Sequence, residues 1–178
     1  MLPILLPGNW QTLLEYQRTA LAEGDLWRLL TGHLVHLGWG HLGMNLIGFW
    51  LIHQLFFRHG VSLSVCLGGL LILMLWISAG LYLFSPALDW YRGFSGVLHG
   101  LLIWALLRDL RRHTAGNLLL LMLVIGKLAW EQVGGPLPGS ESIAKGRVIV
   151  DAHLYGALGG ALLWSVEFSR SKIHERGS

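Results

Sequence analysis

Long apolar runs, separated by short polar or charged stretches, organise this 178-residue chain. Five of them read as helices of membrane type: 41–57, 61–84, 95–110, 117–133 and 149–168. The run from Val61 to Phe84 is the longest and carries no charge. The segment 95–110 opens at a Gly-x-Ser-Gly turn, 117–133 is Leu-rich but contains Lys127 and Glu131, and 149–168 carries His153 and several glycines. A helix needs about 20 residues to cross a bilayer. The shorter runs are therefore expected to end below the surface, to tilt, or to sit where the membrane is thinned. Residues 1–22 hold too few consecutive apolar positions for a span, and read either as the outer end of a truncated first helix or as an interfacial segment. The stretch 23–40 combines Asp25, Trp27, Arg28 and Trp39 with glycines and histidines. It reads as an amphipathic loop at the interface, anchored by tryptophan. The Gly-, Pro- and Ser-containing loop 134–148 is expected to be mobile. The expected fold class is an all-α polytopic membrane protein, with five spans and a short or truncated first helix. One domain covers residues 1–170, and 171–178 form a cytoplasmic tail.

Composition supports a bilayer as solvent. Hydrophobic residues make up 53% of the chain and charged residues only 13%, about half the share usual for soluble domains. The mean hydropathy is +0.55. The formal charge of +3 comes from cations lying between and after apolar runs, with no stripe or patch of the kind nucleic acid requires. No nucleic-acid partner is expected. Arg58, Arg108, Arg111, Arg112, Arg170, Lys172 and Arg176 fall on one side of the predicted spans, against Arg18, Arg28, Arg92, Lys145 and Arg147 on the other. The positive-inside rule puts the first group in the cytoplasm. The helices beginning at 41, 95 and 149 then start near the outer face. The single cysteine, Cys66, excludes an intrachain disulfide. The start, Met1 to Pro7, is too short for the apolar core of a signal peptide and has no basic stretch before it.

Chemistry-bearing residues gather at those helix starts. In Gly93-Phe94-Ser95-Gly96 a serine stands between glycines at a helix N-terminus. Glycines allow tight turns and close approach by a substrate chain. The helix start leaves backbone N–H groups free, and such donors can stabilise an oxyanion. The competing reading is a serine N-cap. His153 lies inside an apolar run, where an ionisable residue is a functional candidate. Gly156 and Gly160 follow it on its own helix face, and Gly96 and Gly100 repeat the device on the serine helix. Small residues at this spacing let two helices approach closely, as a serine–histidine hydrogen bond between them requires. The alternative is that these glycines serve packing alone and His153 bonds a carbonyl.

His41 and Asn45, four apart, project from one helix face. Both can donate hydrogen bonds, which makes them a candidate oxyanion hole. With His33 and His36 nearby, a metal site is the alternative, although no Cys, Asp or Glu in the stretch completes a zinc set. His33 and His36 are otherwise expected to reach towards the interface. Lys127 and Glu131, also four apart within an apolar run, are expected to pair, either structurally or with Glu131 meeting basic groups of a substrate. Asp151 lies two residues before His153 and so points elsewhere on the helix. No metal ligand and no cofactor is assigned.

Taken in order, Trp27-Arg28, then His36, His41 and Asn45, then Gly93-x-Ser95-Gly96, then Ala152-His153-x-x-Gly156-x-x-x-Gly160 resembles the rhomboid intramembrane serine proteases. The resemblance covers roughly residues 25–165. It implies a rhomboid-like six-helix bundle with a water-filled cavity open to the outside. It implies Ser95 as nucleophile and His153 as base without a third, acidic member. His41, Asn45 and the Ser95 N–H would form the oxyanion hole, and Trp27 and Arg28 would belong to a fold-stabilising interfacial loop. Four residues after the serine, where the family usually has a tyrosine packed on the catalytic histidine, stands His99. Three roles stay open for it: base, orientation of His153, or packing.

The small size and the runs Gly-Phe-Ser-Gly-Val-Leu-His and Asp-Ala-His-Leu-Tyr-Gly-Ala resemble the rhombosortase subgroup. That likeness implies membrane-anchored substrates with a C-terminal Gly-Gly motif, an apolar helix and a basic tail. It also implies a bacterial inner membrane location with the site facing the periplasm. The acyl-enzyme would pass to water or to another amine. Three rivals stand beside this reading: a catalytically inactive, client-binding relative, a haem or metal protein built on paired histidines, and a small transporter.

Overall fold

The computed structural model of the chain describes residues 8–58, 61–110 and 114–177, and the expectations placed on Met1–Pro7, Arg111 and Arg112 lie outside them. The described chain is mostly helical. The N-terminal third holds three short helices, α1 (Gly8–Leu14), α2 (Arg18–Ala22) and α3 (Arg28–Thr31). The longer elements follow: α4 (Trp39–Ile52), which runs on as a wider π-type turn over His53–Phe57, α5 (Leu63–Phe84), α6 (Ser95–Asp109), α7 (Thr114–Gly134) and α9 (Val150–Gly177). A one-turn helix, α8 (Ser140–Ala144), sits between α7 and α9. Tyr16–Gln17 pairs antiparallel with Trp90–Tyr91. This short ribbon ties the N-terminal segment to the turn just before the serine helix.

The apolar periods place the helices within a few residues of their expected positions, because runs of Leu, Ile and Gly-spaced small residues leave few other ways to satisfy backbone groups in an apolar solvent. Of the five expected spans, two meet the length and hydropathy of a crossing helix. Among the described residues two helices are long and apolar enough to cross a membrane, Leu63–Phe84 with mean hydropathy 2.1 and Ala115–Gly134 with 1.3. Helix α6 has 15 residues, below the crossing length, whereas α4 has 14 and is prolonged by the five of its π-type turn. Helix α9 continues through Gly177.

Besides an apolar interior, the long helices carry large apolar side chains on their outer faces. Leu67, Leu71, Ile72 and Leu83 of α5, Leu118, Leu119 and Met122 of α7, and Leu158 and Leu162 of α9 are exposed, whereas His33, His41, Asn45, Glu131 and His153 are buried. Exposed apolar area on this scale is unfavourable in water and costs nothing against lipid tails.

At the centre, α6 packs on α9 through the glycines. A Cβ on Gly96 would lie 2.7 Å from the Ala152 carbonyl oxygen, and one on Gly100 2.7 Å from that of Gly156. Side chains on Gly156 and Gly160 would overlap the carbonyls of Gly96 and Gly100. Backbone-to-backbone contact is therefore possible only because these four positions lack a side chain. Around this pair, Leu73, Ile77 and Leu81 of α5 and Val97, Leu101 and Trp104 of α6 build the main apolar core.

Polar clamps fix the remaining pieces. The Arg18 guanidinium donates to the carbonyls of Leu81 (2.8 Å), Tyr82 (2.9 Å), Ser85 (2.9 Å) and Leu88 (3.0 Å). Three of these belong to the last turn of α5 or its cap, which carries unsatisfied carbonyls and the negative end of the helix dipole. Arg28, 4% exposed, donates to Asp25 Oδ2 (2.9 Å) and to the carbonyls of Thr12 (2.8 Å) and Glu15 (3.0 Å). His33 and His36 do not reach to the surface as expected. They are fully buried, and His33 Nε2 lies 2.9 Å from the Met74 carbonyl and 3.0 Å from Ser78 Oγ. The reason is that His33 packs against α5, where the polar Ser78 offers a partner, and His36 packs edge-on against His41. Trp27 and Trp39 stay about half or more exposed, as membrane-interface anchors do.

Candidate active site

Ser95 is the first residue of α6, and the preceding Phe94 occupies the cap position without a side-chain cap bond. The N-cap reading of the serine is thereby corrected: its hydroxyl is not used on its own helix. Ser95 Oγ lies 3.0 Å from His153 Nε2. His153 stands in the first turn of α9, and the glycine contact between α6 and α9 brings it within reach. The turn before the serine depends on Gly93. This residue has φ of 130°, a conformation that favours glycine, and a Cβ there would come 2.8 Å from His41 Nε2. The Gly93 carbonyl accepts from the Tyr91 hydroxyl, and its N–H donates to the Gly32 carbonyl at 3.1 Å.

The other ring nitrogen of His153 faces Glu131. His153 Nδ1 lies 2.9 Å from Glu131 Oε2, and the same oxygen accepts from Lys127 Nζ at 2.8 Å. The Lys127–Glu131 pair anticipated from the sequence exists, but the carboxylate is turned inward onto His153 and is 3% exposed. Sequence spacing pointed only to Lys127, four residues away; His153 is 22 residues distant and reaches Glu131 by helix packing alone. Asp151, set aside from the sequence, instead accepts from Ser85 Oγ at 2.6 Å.

His99 stacks on His153, with ring centroids 4.2 Å apart and 20° between planes. Its Nδ1 lies 2.7 Å from the Ser95 carbonyl and its Nε2 2.9 Å from Lys127 Nζ. A carbonyl only accepts and an ammonium only donates, so Nδ1 carries the proton and Nε2 is the acceptor. Both nitrogens are thus engaged, and neither contacts the serine hydroxyl.

His41 and Asn45 lie on one face of α4 and line the same cavity of about 230 Å³ as Ser95, His99, Glu131 and His153. His41 Nδ1 accepts the Leu37 N–H at 3.4 Å, which leaves Nε2 as an N–H donor. Asn45 is 3% exposed, and its Nδ2 has no partner among the described residues. A buried amide donor without a partner is unfavourable unless something else uses it. Leu137, Ser140, Ala144 and Ile149 line another side of the cavity. The loop 134–148, expected to be mobile, here carries α8 packed against the start of α4: a Cβ on Gly40 would lie 2.6 Å from the Ile143 carbonyl.

The ligand atoms of His99, Glu131 and His153 lie within 4.8 Å of one another, a grouping able to hold a metal ion. Lys127 Nζ, however, already lies 2.8–3.4 Å from all three, so a cation is built into that position. The His33–His36–His41 grouping considered from the sequence is not assembled as a ligand set: His33 bonds α5 and His36 Nδ1 bonds the Leu34 carbonyl at 3.1 Å.

The rhomboid domain family matches residues 23–170. The chain belongs to the rhomboid family. The family is one of integral membrane proteins, generally serine proteases. The chain is also similar to Rhomboid protease GluP of Bacillus subtilis (strain 168), 28% identical over 103 residues that cover 53% of this chain. The matched stretch spans 18% of that relative's length.

Proposed function

We propose that this rhomboid-family chain is an intramembrane serine protease that cleaves membrane-anchored proteins through Ser95 and His153. The observation that carries the reading is the 3.0 Å approach of His153 Nε2 to a serine hydroxyl at a helix N-terminus, inside a cavity that the Asn45 amide also lines. Ser95 Oγ attacks the scissile carbonyl while His153 Nε2 takes its proton. The oxyanion is held by the His41 Nε2–H, the Asn45 amide and the Ser95 N–H, one of the donors that the first helical turn leaves free. His153 then gives its proton to the leaving amine, and the acyl-enzyme is released to water or to a second amine.

The membrane arrangement belongs to the same proposal. Helices α5 and α7 cross the bilayer, and α4, α6 and the first part of α9 are shorter spans completing a single membrane domain over 1–170. The site opens to the periplasmic side of a bacterial inner membrane, with residues 171–178 in the cytoplasm. The substrate class proposed is the rhombosortase one: a C-terminal Gly-Gly motif, an apolar helix and a basic tail. The small residues around Ser95, Gly93 and Gly96, suit a substrate strand of similarly small residues running close to the backbone.

The test is co-expression with a reporter carrying such a tail, comparing wild type with Ser95→Ala and His153→Ala. Both substitutions are expected to abolish cleavage, and a fluorophosphonate probe is expected to label Ser95 only when His153 is intact. Cleavage that survives both substitutions would defeat the proposal and favour an inactive, client-binding relative.

A further inference from the structure

We infer that Glu131 is a positioning residue of the Ser95–His153 pair, converting an expected two-residue site into a Ser–His–Glu triad whose acid is itself held by Lys127. The inference rests on the serine-protease reading of the site. Its geometric basis is that the two ring nitrogens of His153 face two different groups: Nε2 the Ser95 hydroxyl at 3.0 Å, Nδ1 the Glu131 carboxylate at 2.9 Å. An ionised carboxylate only accepts, so it selects the tautomer with the proton on Nδ1. The lone pair is then on Nε2, where a base for the Ser95 hydroxyl needs it. Without an acceptor at Nδ1 the imidazole has no such preference and can turn or change tautomer.

The Lys127 contacts agree with this assignment. Nζ lies 3.4 Å from His153 Nδ1 but 2.8 Å from Glu131 Oε2 and 2.9 Å from His99 Nε2. With Nδ1 protonated there is no lone pair to receive the ammonium, and its hydrogens go to Glu131 and to His99, whose Nε2 is free because its Nδ1 donates to the Ser95 carbonyl. One set of protons thus satisfies all four side chains. An ion pair without a further purpose would satisfy Lys127 and Glu131 near the lipid edge; here the carboxylate is pointed inward and His153 is stacked against His99.

The electron and proton movements balance. Ser95 Oγ forms a bond to the carbonyl carbon as the carbonyl π pair moves onto oxygen, and the hydroxyl proton passes to His153 Nε2. The imidazolium that results keeps its Nδ1 hydrogen bond to Glu131, which stays ionised. When the tetrahedral centre collapses, the C–N bond breaks and the Nε2 proton leaves with the amine. Glu131 acts by orienting the ring and by placing a negative charge beside the transient cation in a low-dielectric site.

The experiment uses the full chain in detergent with a fluorophosphonate probe, separating the maximal labelling rate from the probe's apparent affinity, with thermal unfolding measured alongside. Glu131→Gln puts an amide donor option at Nδ1 and is expected to lower the maximal rate about 100-fold or more, as replacing an orienting acid by its amide does elsewhere, with affinity unchanged within about threefold. Glu131→Asp keeps the charge at shorter reach and is expected to recover about tenfold over Gln. Lys127→Gln, which leaves the Glu131–His153 bond in place, is expected to lose far less than Glu131→Gln. Maximal rates for Glu131→Gln within about threefold of wild type, or equal losses for Glu131→Gln and Lys127→Gln, overturn the inference. Should Glu131→Gln fail to fold, a wild-type rate in Glu131→Asp overturns it and a reduced rate at unchanged affinity supports it. Ser95→Ala separates the two levels. Labelling that persists in Ser95→Ala defeats the protease reading and this inference with it, whereas labelling lost in Ser95→Ala but intact in Glu131→Gln defeats the inference alone.

Discussion

His99 and His153 stack face to face, 4.2 Å between ring centroids and 20° between planes, although they stand on different helices. The position of His99 is one where the rhomboid resemblance leads one to expect a tyrosine, and the imidazole does what a flat ring can do there: it covers one face of the other histidine. Its Nε2 also accepts from Lys127 at 2.9 Å. His99→Ala is expected to lower turnover about tenfold through looser positioning of His153, while His153→Ala abolishes it. His99→Tyr, which restores a flat ring, is expected to keep more activity than His99→Ala. Equal loss in His99→Ala and His153→Ala would instead make His99 the base.

The glycine contact between α6 and α9 sets the distance between serine and histidine. Gly156→Ala would push a methyl into the Gly96 carbonyl, and overpacking of this kind costs about 1–3 kcal/mol. The expected result is a lower unfolding temperature together with loss of fluorophosphonate labelling. Gly126→Ala on α7, whose added Cβ would meet nothing within 4 Å, is the control and is expected to leave both unchanged. An active, fully stable Gly156→Ala chain would show that the close approach is dispensable.

Asn45 offers a test with two opposite signs. Its buried Nδ2 has no partner among the described residues, so removing it relieves an unsatisfied donor. Asn45→Ala is expected to hold or raise the unfolding temperature while turnover falls about 100-fold, with KM little changed. Stability and turnover falling together would reassign Asn45 to the fold.

Burial pushes the His33 and His36 imidazoles down from 6.5 to about 4, the nearby His41 adding to the effect at His36. Between those values the unfolded chain binds more protons than the folded one. Their contribution to stability is therefore complete above pH 6.5 and is lost as the pH falls towards 4. Thermal unfolding in detergent should show a decline over that window, and His33→Gln, although less stable throughout, should show a shallower one. A slope unaltered by His33→Gln would remove this histidine from the acid response.

Much of the site could be read from spacing. Ser95 beside glycines at a helix start, His153 on a glycine-faced helix, and His41 and Asn45 four apart are local patterns, and local geometry follows from helical periodicity. Glu131 could not be placed in the same way. In sequence its only visible partner is Lys127, and the choice between an ion pair at the membrane edge and an acid behind His153 depends on how α7 meets α9. The burial of His33 was misjudged for a similar cause: a histidine in a polar loop looks exposed until Ser78, 45 residues away, supplies its partner.

By itself, the sequence determined an apolar helical chain of rhomboid type, because hydrophobic run length, glycine spacing and the order of short motifs are all properties of neighbouring residues. Tertiary structure alone decided which nitrogen of His153 faces the serine, that a carboxylate occupies the other, that Lys127 binds that carboxylate and His99 together, and that Asn45 is left with a free donor. Those are contacts between helices distant along the chain. Their sign and distance follow from side-chain packing and from which lone pairs and protons remain to be matched, and no periodicity encodes either.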